Sequence, residues 1–169
     1  EMKDAWGAPI DIRIGRSEMQ HGDEFLVGNN DTSSTFRGLS FDGVSLKYNN
    51  ENFNITGFWA RVFQDFSPLD ESGDANFSGI YGSYTGIENM TIDGYYYFYH
   101  QAMVPGVNTL SDAHELHTVG VRFAGNAAQF DWALNGAYQF GDSGVDFTNS
   151  GDTADINAFG VQGAAGYTF

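Results

Sequence analysis

The 169-residue sequence contains no cysteine, only three prolines and only seven lysines and arginines. The absence of cysteine excludes both a disulfide framework and a thiolate metal site. The 22 acidic residues give a formal net charge of -15, which argues against a nucleic-acid partner because phosphate binding requires clustered basic residues. No apolar run approaches the length of a membrane-spanning helix. The sequence begins without methionine or a signal peptide, so we expect a processed or excerpted chain.

The residues that are present favour strands and turns. Aromatic residues make up 16% of the chain and glycine numbers 22, a mixture typical of β-sheet proteins. Ile10, Ile12 and Ile14 alternate with polar residues, which is the period of a strand with one apolar and one polar face. A length of 169 residues fits one domain, so we predict a single all-β domain over residues 1–169.

Eight strand-like segments follow one another along the chain. Residues 1–6 resemble the end of a further strand, and residues 7–9 would turn the chain into the first full one. Each full segment holds about ten residues, the tilted span that a membrane β-strand requires. The predicted strands are residues 10–19, 38–48, 53–66, 78–87, 92–101, 114–124, 127–140 and 156–169.

The connections between these segments are alternately short and long, and the polar composition of residues 20–37 is typical of an exposed loop. A soluble β-sandwich has no reason to keep every second connection minimal, whereas an outer-membrane barrel has short periplasmic turns and long extracellular loops. We therefore predict an antiparallel transmembrane β-barrel of meander topology in a bacterial outer membrane. The short turns are residues 49–52, 88–91 and 125–126, and the other long loops are residues 67–77, 102–113 and 141–155.

Charged and amide side chains within the strands are expected at the parity opposite to the apolar residues. Because a polar face must meet water, we expect these side chains to line the lumen of a porin or export channel for anionic or polar solutes. The alternative is that inward cations only pair with inward carboxylates such as Asp11 and Asp93 and so hold the wall together. The predicted pore-lining residues are Arg13, Lys47, Arg61, Arg122, Asp131, Asn135, Gln139 and Gln162.

The side chains at each parity also predict the interfaces, the lumen width and the number of strands of the barrel. Aromatic residues near strand ends, including Tyr48, Tyr138, Tyr167 and Phe169, would form girdles at the membrane interfaces. Small inward residues suit a wide lumen better than the packed interior of a closed eight-stranded barrel. We therefore expect an open sheet of eight or nine strands that belongs to a larger barrel, since open edges cannot persist in lipid. The small inward residues are Gly120, Ala133, Ala137, Gly160, Ala164 and Gly166.

Other candidate sites receive less support. His100, His114 and His117 lack a compact ligand set, so we interpret them as surface residues, and we predict no cofactor. Residues 70–76 carry oxygen ligands at alternate positions, which leaves a loop-bound calcium ion open. The acidic loops are expected to share divalent ions with lipopolysaccharide and to be accessible to protease near Gly73 or Ser150. No nucleophile elbow accompanies the serines and histidines, so we predict no catalytic residue and no enzyme activity.

Residues 10–48 carry a series of short motifs, including Gly15-Arg16, Gly22-Asp23 and the pair of glycines Gly28 and Gly43. In these motifs the chain resembles the alginate-export family of bacterial outer-membrane β-barrel porins. The resemblance implies a monomeric barrel of about eighteen strands that passes an anionic polysaccharide through an arginine-rich conduit. It also implies that Arg16, Arg37 and Asp42 are fixed parts of the wall and its loop. The motif positions are Gly15, Arg16, Gly22, Asp23, Gly28, Arg37, Phe41, Asp42 and Gly43.

Two alternatives to a segment of a larger channel stay open. One is a small, closed, eight-stranded outer-membrane barrel, for which Phe169 would be the aromatic terminus. The other is a soluble all-β carbohydrate-binding module in which Trp59, Tyr95, Tyr97 and Tyr99 stack on sugars. Solubility without detergent, together with glycan binding, would favour the module over the channel.

Overall fold

The computed structural model describes residues 1–28, 40–63, 74–103, 112–146 and 152–169. These residues form one antiparallel sheet of eight strands, in which each strand pairs with its neighbours along the chain, so the predicted all-β meander is confirmed. No helix among the described residues is long and apolar enough to cross a membrane. The strands are β1 (Ile10–Glu18), β2 (Ser40–Asn49), β3 (Phe53–Phe63), β4 (Ala75–Ile87), β5 (Met90–Gln101), β6 (His114–Ala127), β7 (Phe130–Asp142) and β8 (Asp155–Tyr167).

Strand pairing assigns the side chains to two faces, because directly opposed residues on neighbouring strands point to the same side of a sheet. Arg122 lies opposite Asn135, which lies opposite Gln162, and we call their side of the sheet the polar face. Val121 and Val161 lie at the other parity, on the side that we call the apolar face. The alternation read from the sequence therefore produces a sheet with two chemically different surfaces.

The apolar face is largely uncovered in this structure. Ile14 is 78% exposed and Phe159 is 84% exposed, although both are large aliphatic or aromatic residues. Leu46, Ile80 and Leu134 are also about half exposed on the strands between these two edges. An apolar surface that extends across a sheet in this way marks a contact surface for lipid or for another protein. Of the four aromatic residues expected at strand ends, Tyr48, Tyr138 and Tyr167 lie on this face. The fourth, Phe169, follows β8 and is exposed.

The two edge strands, β1 and β8, do not pair with each other within the described residues. The expected open sheet is therefore confirmed, and these strands do not form a closed eight-stranded barrel. Residues 1–6 contribute only one bridge, in which Met2 and Ile12 exchange both backbone hydrogen bonds at 2.8 Å. Pairing stops there because Asp4 adopts a left-handed conformation (φ 49°) and a 3-10 turn, Ala5–Gly7, follows.

The last short turn lies later in the chain than predicted. β6 continues to Ala127, and Ala128 takes the left-handed turn conformation (φ 54°). The turn predicted at Gly125 and Asn126 is wrong because both residues belong to the strand ladder. A Cβ atom at Gly125 would lie only 2.8 Å from the carbonyl oxygen of Asn89, so this glycine permits close packing between strands.

Candidate functional site

The polar face gathers most of the side chains predicted to line a pore. The register continues this face from Lys47 on β2 through Thr56, Tyr81 and Tyr95 to Gly120 on β6. Seven of the eight predicted residues share it, namely Arg13, Lys47, Arg122, Asp131, Asn135, Gln139 and Gln162.

Arg61 lies on the apolar face, so the inward position expected for it is wrong. It shares its parity with Trp59, and its guanidinium carbon lies 5.9 Å from the centre of the Trp59 ring. The guanidinium also forms an ion pair with Asp74 at the loop end of the sheet. The sequence pattern misplaces Arg61 because Phe58 and Ala60, which lie on the polar face of β3, are themselves apolar. Apolar residues therefore occur on both faces of this strand, and the alternation is lost.

Residues 19–28, which follow β1, run across the polar face, and we call them the covering segment. The His21 ring stacks on Tyr81 and Tyr97, with ring centres 4.7 and 5.6 Å apart. Val27 is only 5% exposed and belongs to a buried cluster with Phe58, Tyr95 and Tyr97. The exposed loop expected from composition is therefore wrong for His21 and Val27, whereas Gln20, Gly22, Asp23 and Leu26 are exposed; residues 29–37 lie outside the described part of the chain.

His21 joins this cluster without a charge. Its Nδ1 atom lies 2.8 Å from the Tyr97 hydroxyl, and burial lowers the pKa of His21 to about 4. The imidazole is consequently neutral at pH 7, with one nitrogen that donates and one that accepts a hydrogen bond. A neutral ring suits a stack between tyrosines, whereas a charged ring there would have to be desolvated.

Aromatic side chains on the polar face lie over glycines of the neighbouring strands. A Cβ atom at Gly120 would overlap the Tyr95 ring, and one at Gly79 would lie 2.6 Å from Cδ1 of Tyr97. The glycines thus leave room for aromatic rings to lie flat on the sheet. The small size of Gly120, which was expected to widen the lumen, instead accommodates the Tyr95 ring.

Arg122 is the centre of a charged group beneath the covering segment. Its Nη1 atom donates to Oδ2 of Asp93 at 2.8 Å, and its Nε atom lies 3.5 Å from Oδ2 of Asp23. Asn135 donates to both carboxylate oxygens of Asp23, at 3.0 and 2.9 Å. Asp93 is 1% exposed and Asn135 is 2% exposed, so the wall side of the group is buried, whereas the Asp23 side chain keeps 31% of its surface exposed. One guanidinium therefore serves two carboxylates, one from the wall and one from the covering segment.

Arg13 and Lys47 lie in a more open part of the polar face. Arg13 donates to Glu1 at 3.2 Å, whereas Lys47 has no carboxylate within 4.0 Å among the residues that the structure describes. Two adjoining clefts of about 350 and 330 Å³ meet at Lys47, His21 and Thr56. Pairing of inward cations, the alternative raised from the sequence, thus applies to Arg13 and Arg122 but not to Lys47.

The amide residues on β7 and β8 are held by neighbours on the same face. Gln139 donates from Nε2 to Oγ1 of Thr118 at 3.1 Å. The Oε1 atom of Gln162 accepts from Asn135 at 3.4 Å. Asp131 lines a separate cleft near the short turns. The amide side chains of β7 and β8 are therefore held in hydrogen bonds, unlike Lys47 on the same face.

The family-motif residues of β1 and β2 have mainly structural environments. Gly15 has a left-handed φ of 107° and lies opposite Gly43. A Cβ atom at Gly43 would lie 2.8 Å from Cα of Ala60 on β3. Arg16 and Asp42 form a two-point ion pair, with distances of 3.0 and 2.7 Å, on the apolar side at the loop end.

The remaining motif positions bring the covering segment onto the wall. Gly22 has a left-handed φ of 58°, and a Cβ atom there would lie 2.8 Å from the Tyr81 hydroxyl. A Cβ atom at Gly28 would overlap the Glu24 side chain. The ring centre of Phe41 lies 6.5 Å from that of Phe77, and Arg37 lies outside the described residues. Asp23, at the middle of this segment, accepts the hydrogen bonds from Asn135 and lies beside the Arg122 guanidinium.

The sequence did not identify His21 or the aromatic cluster as part of the site. A signal was nevertheless present, because Met19 and the run Phe25-Leu26-Val27 are apolar residues within a largely polar stretch. Apolar residues in a polar loop indicate that part of the loop is buried. Met19 and Val27 pack with aromatic residues of β3 to β5, and the Phe25 ring lies near Gly160 on β8, which sequence spacing alone does not reveal.

The aromatic residues proposed as a sugar-binding platform do not share one surface. Trp59 lies on the apolar face, whereas Tyr95, Tyr97 and Tyr99 lie on the polar face. Tyr95 is 8% exposed and Tyr97 is 4% exposed beneath the covering segment. This arrangement offers no open platform of the kind that the carbohydrate-binding module requires.

The histidines on β5 and β6 belong to aromatic contacts. His117 stacks between Phe98 and Phe140, at ring-centre distances of 4.7 and 5.0 Å. No group of three or more histidine, aspartate or glutamate side chains suited to a metal ion occurs within the described ranges. The loop considered for calcium is described only from Asp74 onward, and Asp74 pairs with Arg61.

A family model described as Alginate export matches residues 1–169, the whole chain. Searches of curated proteins and of solved structures return no match. The match extends beyond the motifs of residues 10–48 and includes the strands that carry Arg122, Asn135 and Gln162. The resemblance predicted from those motifs is therefore confirmed, and the chain belongs to the alginate export family.

Proposed function

We propose that this chain forms part of the wall of an outer-membrane export channel that passes anionic or polar solutes, with an anionic polysaccharide such as alginate as one such solute. The contrast between the two faces of the sheet carries this proposal. The apolar face exposes Ile14 and Phe159, as a lipid contact requires, while the polar face carries Arg122, Asn135 and Lys47. Membership of the alginate export family supports transport and not catalysis.

The free edges of the sheet support a barrel larger than these eight strands. An unpaired strand edge in lipid leaves backbone amides and carbonyls without hydrogen bonds, at a cost of several kcal/mol per group. Since β1 and β8 do not pair with each other within the described strands, closure requires further strands between them. We propose a barrel of about eighteen strands, the size that the family resemblance implies.

The proposed orientation places the short turns in the periplasm and the acidic loops outside the cell. In that position the loops would meet lipopolysaccharide and share divalent cations with its phosphate groups. The charged loop ends of β1 to β3, which include Arg16, Asp42 and Arg61, would lie near the lipid headgroups. Gly73 and Ser150, where protease cleavage from outside is expected, lie outside the described residues.

Reconstitution of the full-length protein into lipid vesicles tests the proposal. We expect the protein to require detergent or lipid for solubility and to make vesicles swell in solutions of small sugars and sugar acids. Protein that remains soluble without detergent, binds a glycan and produces no swelling would contradict the channel and favour the binding module. Heat-denatured protein in the same vesicles is the control for leakage caused by protein adsorption.

A further inference from the structure

Asp23 occupies a position on the wall that is built to hold a carboxylate. Both of its carboxylate oxygens accept hydrogen bonds from Nδ2 of Asn135, at 3.0 and 2.9 Å. The Asn135 side chain is buried, so its amide donor depends on this acceptor and on the Gln162 oxygen, which lies 3.4 Å away. A carboxylate is thus the natural occupant of this position.

Arg122 completes the position from the other side. Its Nη1 atom is committed to Asp93, but its buried Nε atom has no hydrogen-bond partner of acceptable geometry in the part of the chain described. That Nε atom points to the same group, because it lies 3.5 Å from Oδ2 of Asp23. Arg122 therefore keeps one donor free for a carboxylate that comes closer than Asp23 does.

The two carboxylates near Arg122 differ in how they are held. Asp93 lies within β5 and is fixed by the strand ladder on both sides. Asp23 lies on the covering segment, between Gly22 with its left-handed φ of 58° and Glu24 with its left-handed φ of 63°. A backbone of this kind reverses direction tightly, so Asp23 is presented to the wall at the tip of a turn. Only Asp23 can leave the wall without breaking the sheet.

Arg122 borders the cleft of about 330 Å³ that is also lined by Gly22, Lys47 and Asp93. Lys47 is the cation of this cleft that has no carboxylate within 4.0 Å among the described residues. An incoming carboxylate would therefore meet an unpaired cation first and the Arg122 and Asn135 donors next.

We propose that Arg122 and Asn135 form a carboxylate-binding site on the channel wall and that Asp23 is a built-in competitor, which fills the site while the covering segment is docked. This inference rests on the proposed channel function, since the polar face must border the solute path. The ligand class is a carboxylate carried by a polar solute. Asp23 then determines how strongly such a solute is held, because a solute binds only where it displaces the aspartate.

The test measures the block of ion current by added glucuronate in planar bilayers that contain the full-length protein. Asp23→Ala removes the competitor, and we expect half-block at about tenfold lower glucuronate, the effect of one hydrogen bond to a charged group. Asp112→Asn is the matched control, because it removes one loop carboxylate, which accepts a hydrogen bond from the Ala113 amide and lies away from the Arg122 group. Glucose, at the same concentrations, shows whether the change depends on the carboxylate.

In the double variant Asp23→Ala, Asn135→Ala, the glucuronate concentration at half-block should rise again, because one of the two donors of the site is missing. This variant leaves the ion pair between Arg122 and Asp93 in place. An equal response in Asp23→Ala and Asp112→Asn would overturn the competitor role. An equal change for glucose and glucuronate would also overturn it and would make Asp23 an anchor of the covering segment only. If the protein conducts ions but Asp23→Ala does not lower the glucuronate concentration at half-block, the competitor role is overturned and the channel function is unaffected. Protein that conducts no ions contradicts the channel function itself.

Discussion

Two regions of the polar face carry inward cations in opposite ways. Beneath the covering segment, Arg122 is enclosed by Asp93, Asp23 and Asn135, and each of its contacts is made inside the protein. Near β1 and β2, Lys47 lies exposed beside a cleft without an ion-pair partner among the residues described. A basic residue is therefore already occupied by the protein's own carboxylates in one region, where a solute would have to displace Asp23, and is unpaired in the other.

The largest expected difference between the two regions is in stability. Arg122→Gln leaves the Asp93 carboxylate buried without its cation, and we expect the free energy of unfolding to fall by about 3–5 kcal/mol. Lys47→Gln, in the open region, should change it by no more than about 0.5 kcal/mol. Urea unfolding of the lipid-reconstituted protein, followed by tryptophan fluorescence, measures both. Equal losses in the two variants would remove the distinction.

A smaller effect is expected from the close packing of rings on glycines in the covered region. Gly120→Ala places a methyl group where the Tyr95 ring lies, and we expect a loss of about 1–3 kcal/mol because the ring must move. Gly136→Ala on the adjacent strand is the control, since nothing lies within 4 Å of its added Cβ atom. The same urea experiment reports both variants. A neutral Gly120→Ala would show that Tyr95 does not lie on β6.

The docking of the covering segment should depend on pH. Because the pKa of folded His21, about 4, is below its usual value of 6.5, docking is strongest above about pH 6.5 and weakens as the pH falls toward 4. Its ring neighbours Phe58, Tyr81 and Tyr97 do not titrate in this range. The protection factors of the amides of residues 19–28, which compare each exchange rate with the intrinsic rate at the same pH, should therefore be smaller at about pH 5 than at about pH 7.5. His21→Phe should flatten this dependence, and an unchanged slope would assign it to another group.

The smallest expected effect is on ion selectivity. Lys47→Gln removes the unpaired cation of the open region, so the reversal potential in a salt gradient should shift modestly toward cations. Arg61→Gln should leave the reversal potential unchanged, because Arg61 lies on the apolar face. Planar bilayers measure both variants under one gradient. A shift with Arg61→Gln that equals the shift with Lys47→Gln would mean that total charge, and not the face, sets selectivity.

Much of the fold could be predicted because the sheet repeats a two-residue period. Strand number, order and the polar positions from Asp131 to Gln139 follow directly from alternation and from the lengths of the connections. Alternation failed in β3, where Phe58 and Ala60 are apolar on the polar face, and this misplaced Arg61. At Gly125, the sequence does not distinguish a glycine that permits close packing from a glycine that forms a turn.

The site was less predictable, because it depends on contacts between residues that are distant in the chain. The hydrogen bond between Asp23 and Asn135 joins residues separated by 112 positions. No periodicity connects a loop residue to one particular strand, so the family motif marked Asp23 without giving its partner. The burial of His21 has the same origin, since its ring lies between tyrosines of β4 and β5.

The central claim is that the polar face borders water and the apolar face borders lipid, and adjacent residues on β2 test it most directly. Because the chain has no cysteine, Lys47→Cys and Leu46→Cys each introduce a single thiol on opposite faces of one strand. In the full-length protein reconstituted into vesicles, a charged, water-soluble maleimide should label Lys47→Cys rapidly and Leu46→Cys hardly at all. A fluorophore at Leu46→Cys, attached before reconstitution, should be quenched by brominated lipid. Rapid aqueous labelling of Leu46→Cys together with lipid quenching at Lys47→Cys would contradict the account.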